Sequence, residues 1–281
     1  MKLYDAHNHL QDDRFAGQQA GLTTECVSAG VHRMVVNGSC EQDWRAVLAL
    51  ARTHPQVIPS FGYHPWYLGE RSPRWQQRLI ECLETAPSGV GEIGLDRWKP
   101  GLPYEGQEEA FGIQLALAAE RNRPVSIHCL KAWGRLYELL RAGPRPARGF
   151  LLHSYGGPPE MVPALVRLGA YFGFPGYFLH TRKARQRETF REVPAERVLM
   201  ETDAPDQLLP ERIEDPENGA APLKYYPLTE PMEGRPINHP ANLAAVYAGY
   251  AAWLGQPVEQ VASQVEANFL RLFGSLEQKT C

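Results

Sequence analysis

Two histidines, two residues apart, close the first apolar segment of the chain. The run 1–6 leads directly into His7 and His9 without a turn residue. Side chains at positions i and i+2 of a β-strand share a face, so both imidazoles are predicted to project together from the carboxyl end of this strand. Neutral imidazole nitrogens suit zinc and its first-row neighbours. An isolated pair of this kind is more often a polar strand end, so a metal site requires further ligands nearby.

Further imidazole and carboxylate groups follow later strands of the predicted fold. These groups are His64 after strand three, Glu92 at the end of strand four, His128 at the end of strand five, His153 at the end of strand six and Asp203 just past strand eight. The carboxyl ends of the strands of a parallel barrel open on one face, where such barrels carry their chemistry. We therefore expect all of these groups to converge on one metal site.

The number of ligands favours two ions. One catalytic zinc uses about three protein ligands, which leaves too many groups unassigned, whereas two divalent ions that share a carboxylate bind both the attacking and the leaving oxygen of a displacement. We predict a bridge at Glu92, one ion on His7, His9 and Asp203, and the other on His128 and His153. Zinc, magnesium or manganese would suit. The predicted catalytic residues are Asp203, which accepts a proton from the attacking water, Glu92 and His64.

Alternating strand and helix patterns must position these groups. After the first strand, the predicted strands are 32–37, 57–63, 89–94, 125–128, 150–153, 170–173 and 198–200, and helical patterns follow them, including 43–53, 104–121, 159–168 and 181–191. A parallel pair of strands requires a crossover connection, and eight parallel strands close a barrel. The pattern predicts an α/β fold, a TIM (β/α)8 barrel, as one domain over residues 1–281. Its metal site lies at the C-terminal face of the strands, and the helices 240–254 and 257–273 complete the outer ring.

One segment interrupts the alternation. Residues 205–240 contain eight prolines, seven acidic residues and three basic residues. A connection this long inside a compact domain is usually functional or disordered. Because it leaves from the end of strand eight, we expect a loop near the active site that acts as a lid or pocket wall, with surface decoration as the alternative.

Composition limits the class of protein. With 43% hydrophobic and 22% charged residues the chain has the composition of a globular protein, and its net charge of −3 provides no overall attraction to nucleic acid. Five cysteines without CxxC spacing favour a reducing, cytoplasmic location. The chain has no apolar run long enough to span a membrane, so no membrane partner is expected. The oligomeric state stays open, with a monomer as one option.

Eight motifs give the chain a family resemblance. They are DAHNHL at 5–10, GYHP at 62–65, GEIGLD at 91–96, PVSIH at 124–128, LHSYGG at 152–157, ETDAP at 201–205 and, beyond the long loop, NHPANL at 238–243 with EANFLRLF at 266–273. Together they resemble the TatD family of metal-dependent hydrolases over essentially the whole chain. The resemblance implies a barrel of the amidohydrolase type, a two-metal site on the residues named above, and phosphodiester cleavage of DNA, commonly at strand ends.

Three positions depart from that family pattern. Trp66 stands where a histidine is usual after HP, Leu130 or Lys131 replaces a common arginine, and the loop 205–240 is longer and carries a net charge of −4. Fewer basic groups weaken the attraction of phosphate. Three side chains, His64, Trp66 and Tyr155, are expected to contact the substrate.

Two other functions remain as alternatives. A small-molecule hydrolase of the amidohydrolase type would cleave an amide, ester or lactone with the same water, although such enzymes often bridge their metals with a carboxylated lysine, where this chain offers Glu92. A non-catalytic binding partner is disfavoured, because it would not need convergent charged ligands. Two further groups have a functional and a structural interpretation: aromatic residues at 171–178 could stack bases or pack the core, and basic residues at 182–191 could follow a phosphate backbone or face solvent.

Overall fold

Eight parallel strands follow one another in chain order around a single sheet. A computed structural model describes residues 1–15, 17–210, 212–215, 219–222 and 225–276. The strands are β1 (Leu3–Asn8), β2 (Val31–Asn37), β3 (Val57–Phe61), β4 (Gly89–Asp96), β5 (Val125–Leu130), β6 (Phe150–Leu152), β7 (Ala170–Pro175) and β8 (Val198–Glu201). The Asp203 amide donates to the His7 carbonyl at 2.9 Å and the His9 amide to the Ala204 carbonyl at 2.8 Å, which joins the end of β1 to the segment after β8. The predicted TIM barrel is confirmed.

Helices connect the strands because parallel neighbours need crossovers. They are α1 (Gln19–Ser28), α2 (Trp44–Thr53), α3 (Trp75–Thr85), α4 (Tyr104–Glu120), α5 (Trp133–Ala142), α6 (Val162–Arg167), α7 (Ala184–Thr189), α8 (Leu243–Leu254) and α9 (Val258–Phe273). In α9, Val261, Val265, Phe269 and Leu272 recur every three or four residues and are buried, so one helix face packs on the barrel. No helix in the described part of the chain is both long and apolar enough to cross a bilayer.

Several boundaries differ from the predicted ones. Strand β1 continues to Asn8, which pairs with Val36 of β2, and β4 continues to Asp96, which pairs with Leu130 of β5. Both strands are buried along their whole length, so the barrel supplies partners beyond the apolar run. The predicted helix 181–191 is instead a 3₁₀ turn followed by the short α7. Only Thr189 of α7 is buried, so no apolar face extends this helix.

The long loop has structure of its own. Strands β9 (Arg212–Asp215) and β10 (Gly219–Pro222) pair in antiparallel register. The Asn238 side-chain amide donates to the Thr202 carbonyl at 2.8 Å, which ties the end of the loop back to β8. Residues 211, 216–218 and 223–224 of this predicted lid lie outside the described residues.

Four of the five aromatic residues at 171–178 are buried in the core. Tyr171, Phe172 and Phe174 of β7 are at most 1% exposed, and Phe178 is buried as well. A side chain without accessible surface cannot stack on a substrate, so the base-stacking interpretation of Tyr171, Phe172, Phe174 and Phe178 is wrong. The fifth aromatic residue, Tyr177, is partly buried against the same core. The aromatic ring of Phe174 packs edge-to-face on Phe190 and Tyr250, which places this cluster between the barrel and the outer helices.

The basic residues at 182–191 make local contacts. Arg182 and Lys183 lie over the ring of Tyr177, and Arg191 pairs with Glu188 at 2.8 Å. These contacts favour the solvent-face interpretation of the run.

Candidate metal centre

Glu92 lies at the centre of the convergent groups. Its Oε2 is 3.4 Å from His7 Nε2 and 3.2 Å from His9 Nε2. Its Oε1 is 3.2 Å from His128 Nδ1 and 3.1 Å from His153 Nε2. The two carboxylate oxygens thus face two separate pairs of imidazoles, the arrangement expected of a bridging ligand.

Asp203 completes the first of these groups. Its Oδ1 is 3.6 Å from His7 Nε2 and 3.5 Å from His9 Nε2. Its Oδ2 accepts a hydrogen bond from Gln207 Nε2 at 2.6 Å. One oxygen is therefore held by the protein while the other faces the histidines.

Burial and charge set the protonation of the cluster. Burial lowers the pKa of His7 to about 4 and raises the pKa of Asp203 to about 6. Burial also opposes the charged form of His9 and of Glu92. The carboxylates of Glu92 and Asp203 outweigh it and raise the pKa of His9 to about 9, and His64, His153 and His7 outweigh it and lower the pKa of Glu92 well below its usual value. The Glu92 carboxylate is therefore ionised, as a ligand must be.

The orientation of His7 and His9 points to a cation between them. His9 Nδ1 lies 2.8 Å from the carbonyl oxygen of Asn37, which only accepts, so Nδ1 carries a proton and Nε2 is the nitrogen that would give up its proton to bind a cation. His7 Nδ1 contacts the Ser126 hydroxyl at 2.7 Å, and its Nε2 is 3.2 Å from His9 Nε2. Two imidazole nitrogens and two carboxylates at these distances need a proton or a metal ion between them.

A carboxylate lies behind each imidazole of the second pair, within hydrogen-bond distance for His128 and slightly beyond it for His153. His128 Nε2 lies 3.0 Å from Asp96 Oδ2, and Asp96 Oδ2 also accepts from the Trp66 indole N–H at 2.6 Å. His153 Nδ1 lies 3.6 Å from Glu201 Oε1, which accepts from the Ser154 amide at 2.6 Å. Carboxylates behind histidine ligands fix the ring orientation and raise the basicity of the other nitrogen.

Two glycines permit these close approaches. Gly94 of β4 has φ +156°, and a Cβ there would lie 1.9 Å from the His128 carbonyl oxygen. A Cβ at Gly173 would lie 2.0 Å from Glu201 Oε2. Any larger side chain at either position would displace a histidine ligand or the carboxylate behind it.

His64 differs from the other histidines of the cluster. Its Nε2 is 3.6 Å from Glu92 Oε1, and with Glu92 and His128 it offers a group of ligand atoms within 4.8 Å of one another. However, its Nδ1 accepts the backbone N–H of Trp66 at 3.2 Å. The proton of the neutral ring is then on Nε2, and burial lowers the pKa of His64 so that the ring is neutral. Distance alone would make His64 a ligand, but its hydrogen bonding makes Nε2 a donor.

The residues present fit divalent cations. Ligand atoms within 4.8 Å of one another come from His7, His153 and Asp203, from His7, His9 and Glu92, and from His64, Glu92 and His128. Glu92 Oε1 is buried and has no hydrogen-bond partner among the described residues, although a buried carboxylate oxygen is normally satisfied. A cation would satisfy it.

The site opens into a cavity of about 530 Å³. Two predicted substrate contacts, His64 and Trp66, line it together with Asp206 and Gln207 from the start of the long loop. Tyr155, the third, is not at the cavity. It has no exposed surface, packs against Phe172, and its hydroxyl donates to the Pro158 carbonyl at 2.8 Å. The prediction for Tyr155 is corrected on this ground.

Four residues of the site were not predicted. They are Asp96, Glu201, Ser126 and Gln207. Strand alternation could have found three of them, because Asp96 lies four residues after Glu92, Ser126 two before His128 and Glu201 two before Asp203. Gln207 follows a turn, and no periodic signal marks it.

Comparison with known proteins decides the family. A profile described as "TatD related DNase" matches residues 4–274. The chain belongs to this family. The predicted relationship is thereby confirmed, and the chain is a hydrolase of the TatD type.

Relatives of this family align along nearly the whole chain. The 3'-5' ssDNA/RNA exonuclease TatD of Escherichia coli K12 is 30% identical over 275 residues, covering 97% of this chain and 99% of that protein. The enzyme of the same name from Enterobacter lignolyticus is also 30% identical over 275 residues, with 97% and 99% covered. The range that the family profile matches, residues 4–274, contains every predicted ligand position from His7 to Asp203.

Solved structures show the same architecture. The crystal structure of YjjV, a TatD homologue from Escherichia coli K12, has a TM-score of 0.83 at 26% identity and covers 97% of this chain and 98% of its own. A TatD family hydrolase from Entamoeba histolytica has a TM-score of 0.81 at 17% identity, with 97% and 98% covered. The second likeness concerns the fold alone.

Proposed function

We propose that the protein is a metal-dependent exonuclease that cleaves phosphodiesters at the ends of single-stranded nucleic acid, in the 3' to 5' direction. The observation that carries the proposal is the position of Glu92, whose two oxygens face two imidazole pairs at 3.1 to 3.4 Å. Relatives along the whole chain are named as exonucleases with this direction.

The ligands divide into two sets around Glu92. His7, His9 and Asp203 would hold one divalent ion, and His128 and His153 the other, with Glu92 shared. Zinc, manganese and magnesium remain the candidates, because imidazole suits the first two and carboxylate the last. When bound, two such ions lower the pKa of water and neutralise charge on a transferring phosphate.

The side chains around the proposed ions would accept the proton of the attacking water and bind the phosphate of the substrate. Asp203 takes the proton of the attacking water, because its Oδ1 faces His7 and His9 while Gln207 holds its Oδ2. His64 donates a hydrogen bond from its Nε2–H to a phosphate oxygen, because its Nδ1 already accepts the N–H of Trp66. Trp66 positions Asp96, and through it His128, rather than binding substrate by its N–H.

Two further features belong to the proposal. The loop 205–240 acts as a wall of the site, supported by Asp206 and Gln207 at the cavity. The protein works as one domain in a reducing, cytoplasmic setting, supported by free thiols at Cys26, Cys40, Cys82 and Cys129.

The test combines metal content with strand cleavage. The purified protein is assayed by mass spectrometry for bound metal and incubated with end-labelled single-stranded DNA, before and after chelation and after addition of Zn²⁺, Mn²⁺ or Mg²⁺. We expect shortening from the 3' end that chelation abolishes and one of the ions restores. Failure to cleave any strand, together with turnover of a simple ester, amide or lactone, would replace this proposal with the small-molecule hydrolase.

A further inference from the structure

An exposed tryptophan stands at the edge of the metal cavity. Trp98 is 56% exposed and lines the cavity, two residues beyond the end of β4. Its backbone N–H donates to Asp96 Oδ1 at 2.6 Å, and the Lys99 amide donates to the same oxygen at 2.9 Å. Because the other oxygen of Asp96 contacts His128, the position of this tryptophan is tied to the metal ligands.

A second apolar side chain lies beside it. Leu130, at the end of β5, is 38% exposed and lines the same cavity. Its carbonyl accepts the Arg97 amide at 2.9 Å, so the chain leading to Trp98 runs alongside it. Of the six large apolar side chains that are exposed in the described part of the chain, these two line the cavity. The rest of its lining is largely imidazole and carboxylate.

Exposed apolar surface inside a polar cavity calls for a ligand with an apolar part. An indole face stacks on any nucleobase, because every base has a flat π-face. A cation is close by, since Lys99 Nζ lies 4.3 Å from the centre of the Trp66 ring. The wall therefore suits a flat aromatic group that carries a phosphate.

The volume of the cavity limits how much of a strand can enter. About 530 Å³ lies within the range of pockets that enclose one small ligand. One terminal nucleotide fits this description, with its phosphate at the metal ligands and its base at the outer wall.

We propose that Trp98 and Leu130 form the subsite for the terminal nucleobase, with Trp98 stacking on it. This inference rests on the proposed exonuclease function and extends it. If the subsite exists, the enzyme should cleave a strand end that carries a base faster than one that lacks it. Trp98 and Leu130, which are not metal ligands, would cause this difference.

The test uses two labelled single strands that differ only at the 3'-terminal residue. One ends in an ordinary nucleotide and the other in an abasic tetrahydrofuran residue. Initial rates of removal of that residue are measured with the wild type, Trp98→Ala, Trp98→Phe and Leu130→Ala. Leu270→Ala is the matched control, because Leu270 is also 38% exposed and lies on α9, away from the cavity. Metal content is measured for every variant.

We expect Trp98→Ala to lower kcat/KM for the base-bearing end by about five- to a hundredfold, the range that corresponds to loss of one stacked base. The abasic end should be cleaved by this variant as by the wild type. Trp98→Phe should retain most of the preference, Leu130→Ala should lose part of it, and Leu270→Ala should match the wild type.

Two results would overturn the subsite. Equal loss on both strands would mean that Trp98 supports the metal centre, and no loss on either strand would mean that it does not contact the base. In both cases a wild type that cleaves the ordinary strand leaves the proposed function intact. A wild type that cleaves neither strand removes the proposed function and the subsite together.

Discussion

The cavity has an inner half of buried imidazole and carboxylate groups and an outer wall of two exposed apolar side chains, Trp98 on the loop after β4 and Leu130 at the end of β5. Glu92, His128 and His153 of the inner half are at most 7% exposed. The second ring nitrogens of His7, His9 and His128 contact a hydroxyl, a carbonyl and a carboxylate, respectively. Trp98 and Leu130 of the outer wall keep 56% and 38% of their surface exposed. Buried carboxylates and imidazoles with fixed orientations suit catalysis at a phosphate. An exposed apolar wall suits the binding of a nucleobase, which varies along the sequence of a strand.

The largest effect should come from the centre of the inner half. Glu92→Ala removes the carboxylate that both imidazole pairs face, so we expect loss of at least one ion per chain and loss of measurable cleavage. The barrel should stay folded, because the ligands lie outside its packed layers. Metal analysis and circular dichroism check this, with Glu92→Gln as the variant of equal shape. If Glu92→Ala retains both ions, Glu92 is not the bridge.

Substitutions of Asp203 and His64 should distinguish the proposed proton acceptor from the proposed hydrogen-bond donor. Asp203→Asn keeps the shape but loses the charge, so turnover should fall by roughly a hundredfold or more. His64→Ala should also lower turnover, but with metal content near that of the wild type, because Nδ1 of His64 is occupied by the Trp66 amide. Equal loss of metal in both variants would place His64 among the ligands, as its distance to Glu92 alone suggests.

A smaller effect on metal affinity is expected for Asp96, which contacts the proposed ligand His128. Asp96→Asn removes the charge at His128 Nε2, so metal affinity should fall by about ten- to a hundredfold. Asp206→Asn is the matched control, since Asp206 also lines the cavity but pairs with Arg14 at 2.8 Å. Titration of metal-free protein with Zn²⁺ or Mn²⁺ measures both. Equal affinities in the two variants would show that Asp96 does not support His128.

The difference between the inner half and the outer wall of the cavity also explains which site residues could be predicted from the sequence. His7, His9, Glu92, His128, His153 and Asp203 follow strands, and the topology of a parallel barrel brings strand ends together whatever the details of packing. Tyr155 was misplaced because Ser154 has a positive φ of 44°, which breaks the alternation after β6 and turns the next side chain into the core. The exposure of Trp98 depends on the path of the loop after β4, and no periodicity specifies that path.

The smallest expected effect is that of salt, and it tests the outer wall. Arg14 at the cavity is neutralised by Asp12 and Asp206 at 2.9 and 2.8 Å, and the loop 205–240 carries a net charge of −4. Few phosphates can then be neutralised on binding. For two or three contacts on a single strand, log affinity should fall with log salt with a slope of about −1.4 to −2. Binding of labelled single strands to Asp203→Asn at saturating metal, between about 20 and 300 mM salt, measures this slope. Adding Trp98→Ala in the same Asp203→Asn background should weaken binding without changing the slope, because stacking releases no counterions. A much steeper slope for Asp203→Asn with Trp98 intact would mean that the strand follows a basic surface beyond the cavity, and that the protein contacts more than one terminal nucleotide.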